Sequence, residues 1–449
     1  ALIQEALKRR GDARAVLYVQ VPDSAPAGVL SSFRDAMETF GIGAERFPPP
    51  TTLRALAKTI GALARDGRIV VLDEFQYFHR KHLREFCSLL QAEVDALTAD
   101  AARAPGGLIV LGSIHTEMAA LLEDRNAPLY SRTTDELAIP HLDVASLLDI
   151  LREHADTSAS RLLFLWTLFE GVPKFYRDCF EQGVLASDRA SLLRRIFFES
   201  SSPLRYEAEN WFLKELHGRY DVVLKHVAQH GGCSHGDLTA HIRAVSPETS
   251  EQVGGYLKVL IERYALIDKR LPVFAKPKAK SGRYYLADNF LQAWLGALAA
   301  PISALNFRPV EGLVADADER LRTVEGRALE KLVGTLYEER SRKRIGDFPL
   351  TRRVTGYWDS AETEIDLVAL DEDSRRVRLG SCKRSPDALM ADASRFEGHV
   401  GRFLDAFPKY REWTVEKVGV APTLDAAQRR ALAERAWIAE DLADLTRGL

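Results

Sequence analysis

Hydrophobic positions change rhythm several times along the first 140 residues. Short unbroken apolar runs, in AVLYVQV at 15–21, RIVVL at 68–72 and GLIVLGS at 107–113, predict buried strands. Between them, apolar residues recur at helical spacing in LSSFRDAMETFGI, in the stretch from Pro50 to Gly67, and over about 80–103. DELAI, at 135–139, predicts one more strand. Strands alternating with helices imply a doubly wound α/β layer with a mostly parallel sheet.

The rhythm then becomes helical. VASLLDILREH and SRLLFLWTLFEG predict a helical segment over 141–202, interrupted at Gly171-Val172-Pro173, where Gly ends one helix and Pro starts the next. In 203–290, SHGDLTAHIRAV reads as a helix capped by Ser234. SPETSEQVGGYLKVLIERYAL reads as a longer one with Ser246 or Thr249 near its cap, and IDKRLPVFAKPKAKSGRYYLADNF as strand, loop, strand. This order fits a winged helix. Residues 291–320 read as an apolar helix and linker. Over 321–449 a second α/β unit is expected: helix EGRALEKLVGTLYEER, strands TEIDLVAL and RVRLGSCKRS joined by DEDSRR, a helix over about 387–407, strand WTVEKVGVAP and a terminal helix.

Composition bounds the chemistry. The 449 residues carry a formal net charge of −3, so any nucleic-acid surface must be local. Cys87, Cys179, Cys233 and Cys382 lie far apart, with no zinc-ligand spacing, which fits a reducing cytoplasm. No apolar run approaches the roughly 18 residues of a membrane span. The opening ALIQEALKRRGDAR reads as an amphipathic helix rather than a signal peptide.

The central stretch is RIVVLDEFQYF, 68–78. Its apolar run ends on adjacent acids, Asp73 and Glu74. Open α/β sheets bind ligands at the C-terminal ends of their strands. Two carboxylates there suit Mg-nucleotide chemistry, one holding the Mg²⁺ shell and the other polarising water. A core strand running into a solvated helix cap is the other reading.

The order LDEFQYF, a strand ending LGS, APLYSR, a GxP turn and YYLADNFLQAW resembles one family. It is that of the archaeal-type P-loop ATPases of prokaryotes, close to the AAA+ and STAND classes, with a winged helix and a C-terminal PD-(D/E)XK nuclease-like domain. The resemblance implies a P-loop NTPase sheet over 1–140, a helical lid, a winged helix, a linker and a nuclease-like domain. It implies ATP and Mg²⁺ as cofactors, with Asp73 as the metal-coordinating acid and Glu74 as the catalytic carboxylate. Ser113 would sense the γ-phosphate. Arg132, with Arg125 as the second candidate, would contact phosphate in cis or across a subunit interface. Gly171 and Pro173 would place the lid on the nucleotide. No GxxxxGK[ST] occurs in the 449 residues. The family carries that loop just before the helix in which this chain begins, so the sheet is expected to be N-terminally truncated and the phosphate loop to precede Ala1.

The tail resembles a nuclease frame with one acid replaced. Glu330 fits the helix acid, Asp366 the strand acid and Lys383 the lysine, but Ser381 stands where a carboxylate belongs. Side chains 381 and 383 share a strand face, and a hydroxyl is a poor ligand for a hard cation beside carboxylates. The domain is therefore expected to be degenerate, kept for nucleic-acid binding or assembly; Glu364, on the face of Asp366, is the substitute acid through which it could still cut. Lys276, Lys278, Lys280 and Arg283 stud the wing and suit phosphate contact. Arg340, Arg342, Lys343, Arg344, Arg352 and Arg353 form a second basic cluster, suited either to nucleic acid or to a solvated face. Three functions follow: an ATP-driven switch acting on DNA, an ATP-gated endonuclease, and an ATP-controlled, self-assembling signalling protein without nucleic acid.

Overall fold

The computed structural model describes residues 16–99, 106–112, 115–209, 219–245, 252–277 and 279–449, with Ile3, Glu5, Ala6 and Arg9 ahead of them. The chain forms two compact units, Ala1–Ile139 and Pro140–Leu449.

In the first unit, β1 (Val16–Gln20), β2 (Ile69–Asp73) and β3 (Gly107–Val110) form a parallel sheet in that order, with Gln20 opposite Asp73 and Leu72 opposite Val110. Helices α1 (Pro26–Thr39), α2 (Leu53–Arg65), α3 (Glu85–Ala99) and α4 (His115–Leu122) accompany it. The Thr52 hydroxyl accepts the Ala55 N–H and starts α2. Its Leu53, Leu56, Ala57, Ile60 and Leu63 form one buried stripe. Leu17, Val70, Leu72, Phe75, Phe78 and Phe86 belong to the same core. DELAI, predicted as a strand, is not one. A strand exists only by pairing, and residues 135–139 have no sheet neighbour among the described residues, leaving Leu137 80% and Ile139 66% exposed.

The second unit begins with α5 (Val144–His154), α6 (Ala159–Phe169), α7 (Pro173–Glu181) and α8 (Arg189–Leu193), the last continuing through a π turn at Arg194–Phe198. Then come α9 (Arg219–Gln229), β4 (Cys233–Ser234), α10 (His235–Val245), α11 (Val253–Glu262), β5 (Ile267–Arg270) and β6 (Arg283–Leu286). The strands pair antiparallel in the order β4-β6-β5. Ser234 does cap α10: its hydroxyl accepts the Asp237 N–H while the Asp237 carboxylate accepts the Ser234 N–H. Ser246 and Thr249 lie outside the described residues.

Residues 291–320, read as an apolar helix and linker, are mostly helical and contribute to the core, with Phe307 85% exposed in the turn between helices. After α12 (Asn289–Ala293), a π turn and α13 (Ala299–Ser303), α14 (Val310–Arg342) runs unbroken for 33 residues. Phe290 stacks on Phe175 at 4.6 Å and faces Phe197 at 6.4 Å, and Trp294, Leu298 and Leu313 are buried. Apolar residues at helical spacing bury themselves whatever domain boundary they span.

The last elements form a mixed sheet in the order β11-β10-β9-β8-β7. They are β7 (Thr355–Trp358), β8 (Glu364–Asp371), β9 (Arg376–Cys382), β10 (Thr414–Ala421) and β11 (Trp437–Asp441), with α15 (Pro386–Ala406), α16 (Ala426–Glu434) and α17 (Leu442–Thr446). Strand β8 pairs antiparallel with β7 and β9, and β10 pairs parallel with β9 and β11. The terminal helix expected after β10 is interrupted by β11.

Gly171 lies where two backbones meet. Its carbonyl accepts the Leu142 N–H at 2.8 Å, and a Cβ there would stand 2.3 Å from the Leu142 carbonyl oxygen. Gly171→Ala is expected to cost about 2 kcal/mol or more, because backbone rather than a mobile side chain must give way. Denaturant unfolding measures it.

Candidate functional site

In the first unit, the strand end of β2 carries the two acids. One Asp73 oxygen accepts the Glu74 N–H at 2.9 Å and the other accepts the Tyr18 hydroxyl. Burial, the bond to Asp73 and the charges of Asp73 and Glu74 push the Tyr18 hydroxyl up to about 12. Glu74 occupies the left-handed region (φ 57°), and its carboxylate accepts from the amide of the buried Gln76. Phe75 N–H donates to the Leu111 carbonyl, tying this corner to the end of β3. A Cβ on Gly112 would meet Met118 and Gln76. Tyr18 and Gln76 thus orient the pair. Neither was singled out in the sequence, because each meets its acid through a fold contact or a turn rather than a recognisable motif.

A carboxylate accepting two bonds keeps lone pairs for a hydrated cation, so Asp73 is the residue of this corner that could hold Mg²⁺. Among the described residues, no group of three or more His, Cys, Asp or Glu side chains is arranged to hold a metal ion. Ser113 lies outside the described residues. Arg132 is turned to a different partner: its Nε and Nη2 grip Asp95 of α3 at 2.7 and 3.1 Å, and its Nη1 donates to the Tyr130 carbonyl. The structure therefore pairs Arg132 on the surface and does not bring it to Asp73.

Gly171 and Pro173, in the second unit, frame a turn. Pro173 is the first residue of α7. Before them Glu170, left-handed (φ 49°) and buried, accepts from Lys331 of α14 at 2.6 Å and from the Asn289 N–H at 3.2 Å, with His141 Nδ1 3.3 Å away. Burial raises the Glu170 pKa, but His141 and Lys331 outweigh it and hold the carboxyl below its usual range. His141 is raised by its bond to the same carboxylate. The turn is organised by this buried acid.

The second unit also holds a cleft of about 570 Å³. Strands β8 and β9 bring Glu364, Asp366 and Ser381 to it, Lys383 follows directly on β9, and α15 adds Asp392. Asp366 Oδ2 accepts from Lys383 Nζ and from the Cys382 N–H, both at 2.8 Å. Burial opposes the Lys383 charge, but Asp366 and Glu330 outweigh it and raise its pKa. Ser381 donates to Asp392 at 3.4 Å, and Asp392 lies 3.9 Å from Lys383. An acid from a helix thus stands beside the position where the strand carries a hydroxyl.

Glu330, on α14, is within electrostatic reach of the cleft. Its surroundings in protein, then the negative charges of Asp366 and Glu364, push its carboxyl up to about 8 against Lys383 and Arg327. Glu330 is nevertheless exposed on α14, so solvent screens much of this effect and the direction, upward, is what stands.

The connection between β5 and β6 departs from expectation. Arg283 is the first residue of β6 and lines the cleft; its Nη1 binds Glu364 at 2.6 Å and its guanidinium lies 4.8 Å from the Trp358 ring centre. Lys276 and Lys280 are exposed, and Lys278 lies outside the described residues. The other basic cluster is largely spent internally. Arg340 donates to carbonyls of Asp444, Leu445 and Arg447, and Arg342 and Lys343 face Asp143. Arg352 pairs with Glu372 and Arg353 with Glu338.

A family model described as archaea bacterial proteins of unknown function, DUF234, matches residues 294–393. Glu364, Asp366, Ser381, Lys383 and Asp392 of the cleft fall inside that span, and Arg283, Arg395, His399 and Arg402 outside it. An uncharacterized protein of Methanocaldococcus jannaschii is 25% identical over 362 residues, 76% of this chain and 74% of its own. Among solved structures, the Walker-type ATPase PABY2304 of Pyrococcus abyssi aligns over 65% of this chain and 87% of its own, at 17% identity and a TM-score of 0.48. The ORC2 protein of Aeropyrum pernix, solved in ADPNP-ADP complexes, aligns over 72% and 84%, at 17% identity and a TM-score of 0.40. Among the described residues no helix is long and apolar enough to cross a membrane.

The raised Glu330 gives a pH signature. A carboxyl whose folded pKa exceeds its unfolded value contributes stability that is present at acid pH and lost as pH rises toward 8. Glu330→Gln is expected to raise Tm relative to wild type at about pH 9 and to change it little at about pH 4. Calorimetry across that range checks it.

Proposed function

We propose that this protein is an ATP-binding and ATP-hydrolysing switch of the AAA+/STAND-like kind, acting on DNA through a winged helix and a degenerate nuclease-like cleft. The reading rests on Asp73 and Glu74. They stand at the C-terminal end of the middle strand of a parallel sheet, where nucleotide chemistry is placed in open α/β folds. When bound, Mg-ATP would bring the transferable phosphate and its counter-charge. Asp73 would hold the metal's water shell, Tyr18 would keep Asp73 oriented, and Glu74, held by Gln76, would orient the attacking water. The order helix, strand, helix, helix, strand, strand over 219–286 supports the winged helix. Lys276, Lys278 and Lys280 are its phosphate contacts in this reading, and the cytoplasm its compartment.

The natural protein is expected to hydrolyse Mg-ATP, and Glu74→Gln to lower turnover about a hundredfold or more while nucleotide binding persists. Phosphate release and calorimetry measure the two. Absence of Mg-ATP binding by the natural protein would sink the reading.

One observation favours a second reading, an active nuclease. Asp392 lies beside Ser381 and Lys383, so α15 supplies a carboxylate that β9 lacks. On the degenerate reading, no cleavage of single- or double-stranded DNA is expected with Mg²⁺ or Mn²⁺. Cleavage that disappears in both Asp366→Ala and Asp392→Ala would establish the second reading instead.

A further inference from the structure

The connection between β5 and β6 is docked on the cleft domain. Phe274 enters an aromatic socket, with ring centres 5.0 Å from Phe407 and 5.4 Å from Tyr410. Its backbone is left-handed (φ 65°), which a bulky side chain adopts only when packing holds it there. Val273 N–H donates to the Gly356 carbonyl at 2.9 Å, adding a bond at the β7 edge. Trp358 Nε1 donates to the Ser281 carbonyl at 2.8 Å. At the cleft itself, Arg283 closes onto Glu364.

This last contact decides what the docking does. The Glu364 backbone is pinned, its nitrogen 2.7 Å from His399 Nδ1, so only its carboxylate can swing. Three ion pairs line the cleft, Arg283 with Glu364, Lys383 with Asp366 and Arg395 with Asp392, while Arg402, also in its wall, donates to the Thr363 hydroxyl. A ligand that engages Arg283 must displace Glu364 from it. The Arg283–Glu364 pair joins the end of the connection, at the first residue of β6, to the cleft wall, and its carboxylate is 56% exposed, against 10% for Asp366 and 12% for Asp392. Guanidinium accepts phosphate in the same forked geometry as carboxylate. Exposed Lys276 and Lys280 lie on the same connection, a positive approach for a polyanion.

We propose that this connection is a strap that closes the cleft, and that a nucleic-acid strand opens it by taking Arg283 from Glu364. The proposal rests on the nucleic-acid reading given above and adds its regulation. The closed form withholds binding affinity in proportion to its population.

The test uses the full chain, a fluorescein-labelled single-stranded oligonucleotide and hydrogen exchange. Phe274→Ala is expected to speed exchange over 355–366 and to tighten oligonucleotide binding about tenfold. Phe274→Trp, which keeps a ring for the socket, is expected to behave as wild type. In wild type, saturating oligonucleotide is expected to speed exchange of the Val273 N–H, a readout that needs no variant. The strap is overturned if Phe274→Ala exchanges faster but binds no tighter, or if the oligonucleotide leaves Val273 protected. If neither protein binds the oligonucleotide while Phe274→Ala exchanges faster, the nucleic-acid reading itself fails. Opening by polyglutamate but not by the oligonucleotide overturns the proposal in favour of an acidic protein partner.

Discussion

Helix α14 is the constraint on which the second unit depends. Its 33 residues extend about 50 Å. Leu321, Val324, Leu329, Leu332, Val333 and Leu336 join the helices before it and the sheet after it into one apolar cluster that also contains Phe169, Phe290, Leu367 and Val420. Neighbouring side chains on a helix diverge by about 100°. Glu330 is therefore placed among the charges of the cleft while Lys331 reaches Glu170. One rigid rod sets the relative placement of the GxP turn and the acids of β8. Sub-ångström changes in its seat are felt at both, because close-packed interiors transmit displacement.

The cleft is built from charges that satisfy one another. Ser381 brings no negative charge to Lys383, and the neighbouring Asp392 supplies some from another element. The same side chain also binds Arg395. An acid that holds three partners is less available to a cation than one on an open strand face. This is the physical ground for treating the site first as a surface for binding and only second as one for cutting.

Local periodicity made much of this molecule legible. Period-two alternation put Glu364 with Asp366 and Ser381 near Lys383. Helical spacing placed α1, α2, α5 and α6, and the apolar run before Asp73 marked β2. Contacts between distant segments were not legible. DELAI has strand composition but no strand beside it. Trp437–Asp441 lacks clear alternation and becomes β11 because β10 offers it an edge. Arg132 meets Asp95 across 37 residues, and Arg283 meets Glu364 across 81. Basic residues in a loop look alike in sequence, whether they face solvent or a carboxylate brought in by the fold. Phe274 was equally silent, since a single aromatic carries no period.

The buried Glu339 of α14 accepts the N–H groups of Val144 and Ala145, the first residues of α5, from 195 residues away. Helix starts are ordinarily satisfied by a residue next door, as Asp143 also does for Ser146 here. Part of this start is instead completed by a segment made much later during synthesis. Closing so long a loop is entropically costly and slow. The start of this unit's opening helix is therefore complete only once α14 has been made.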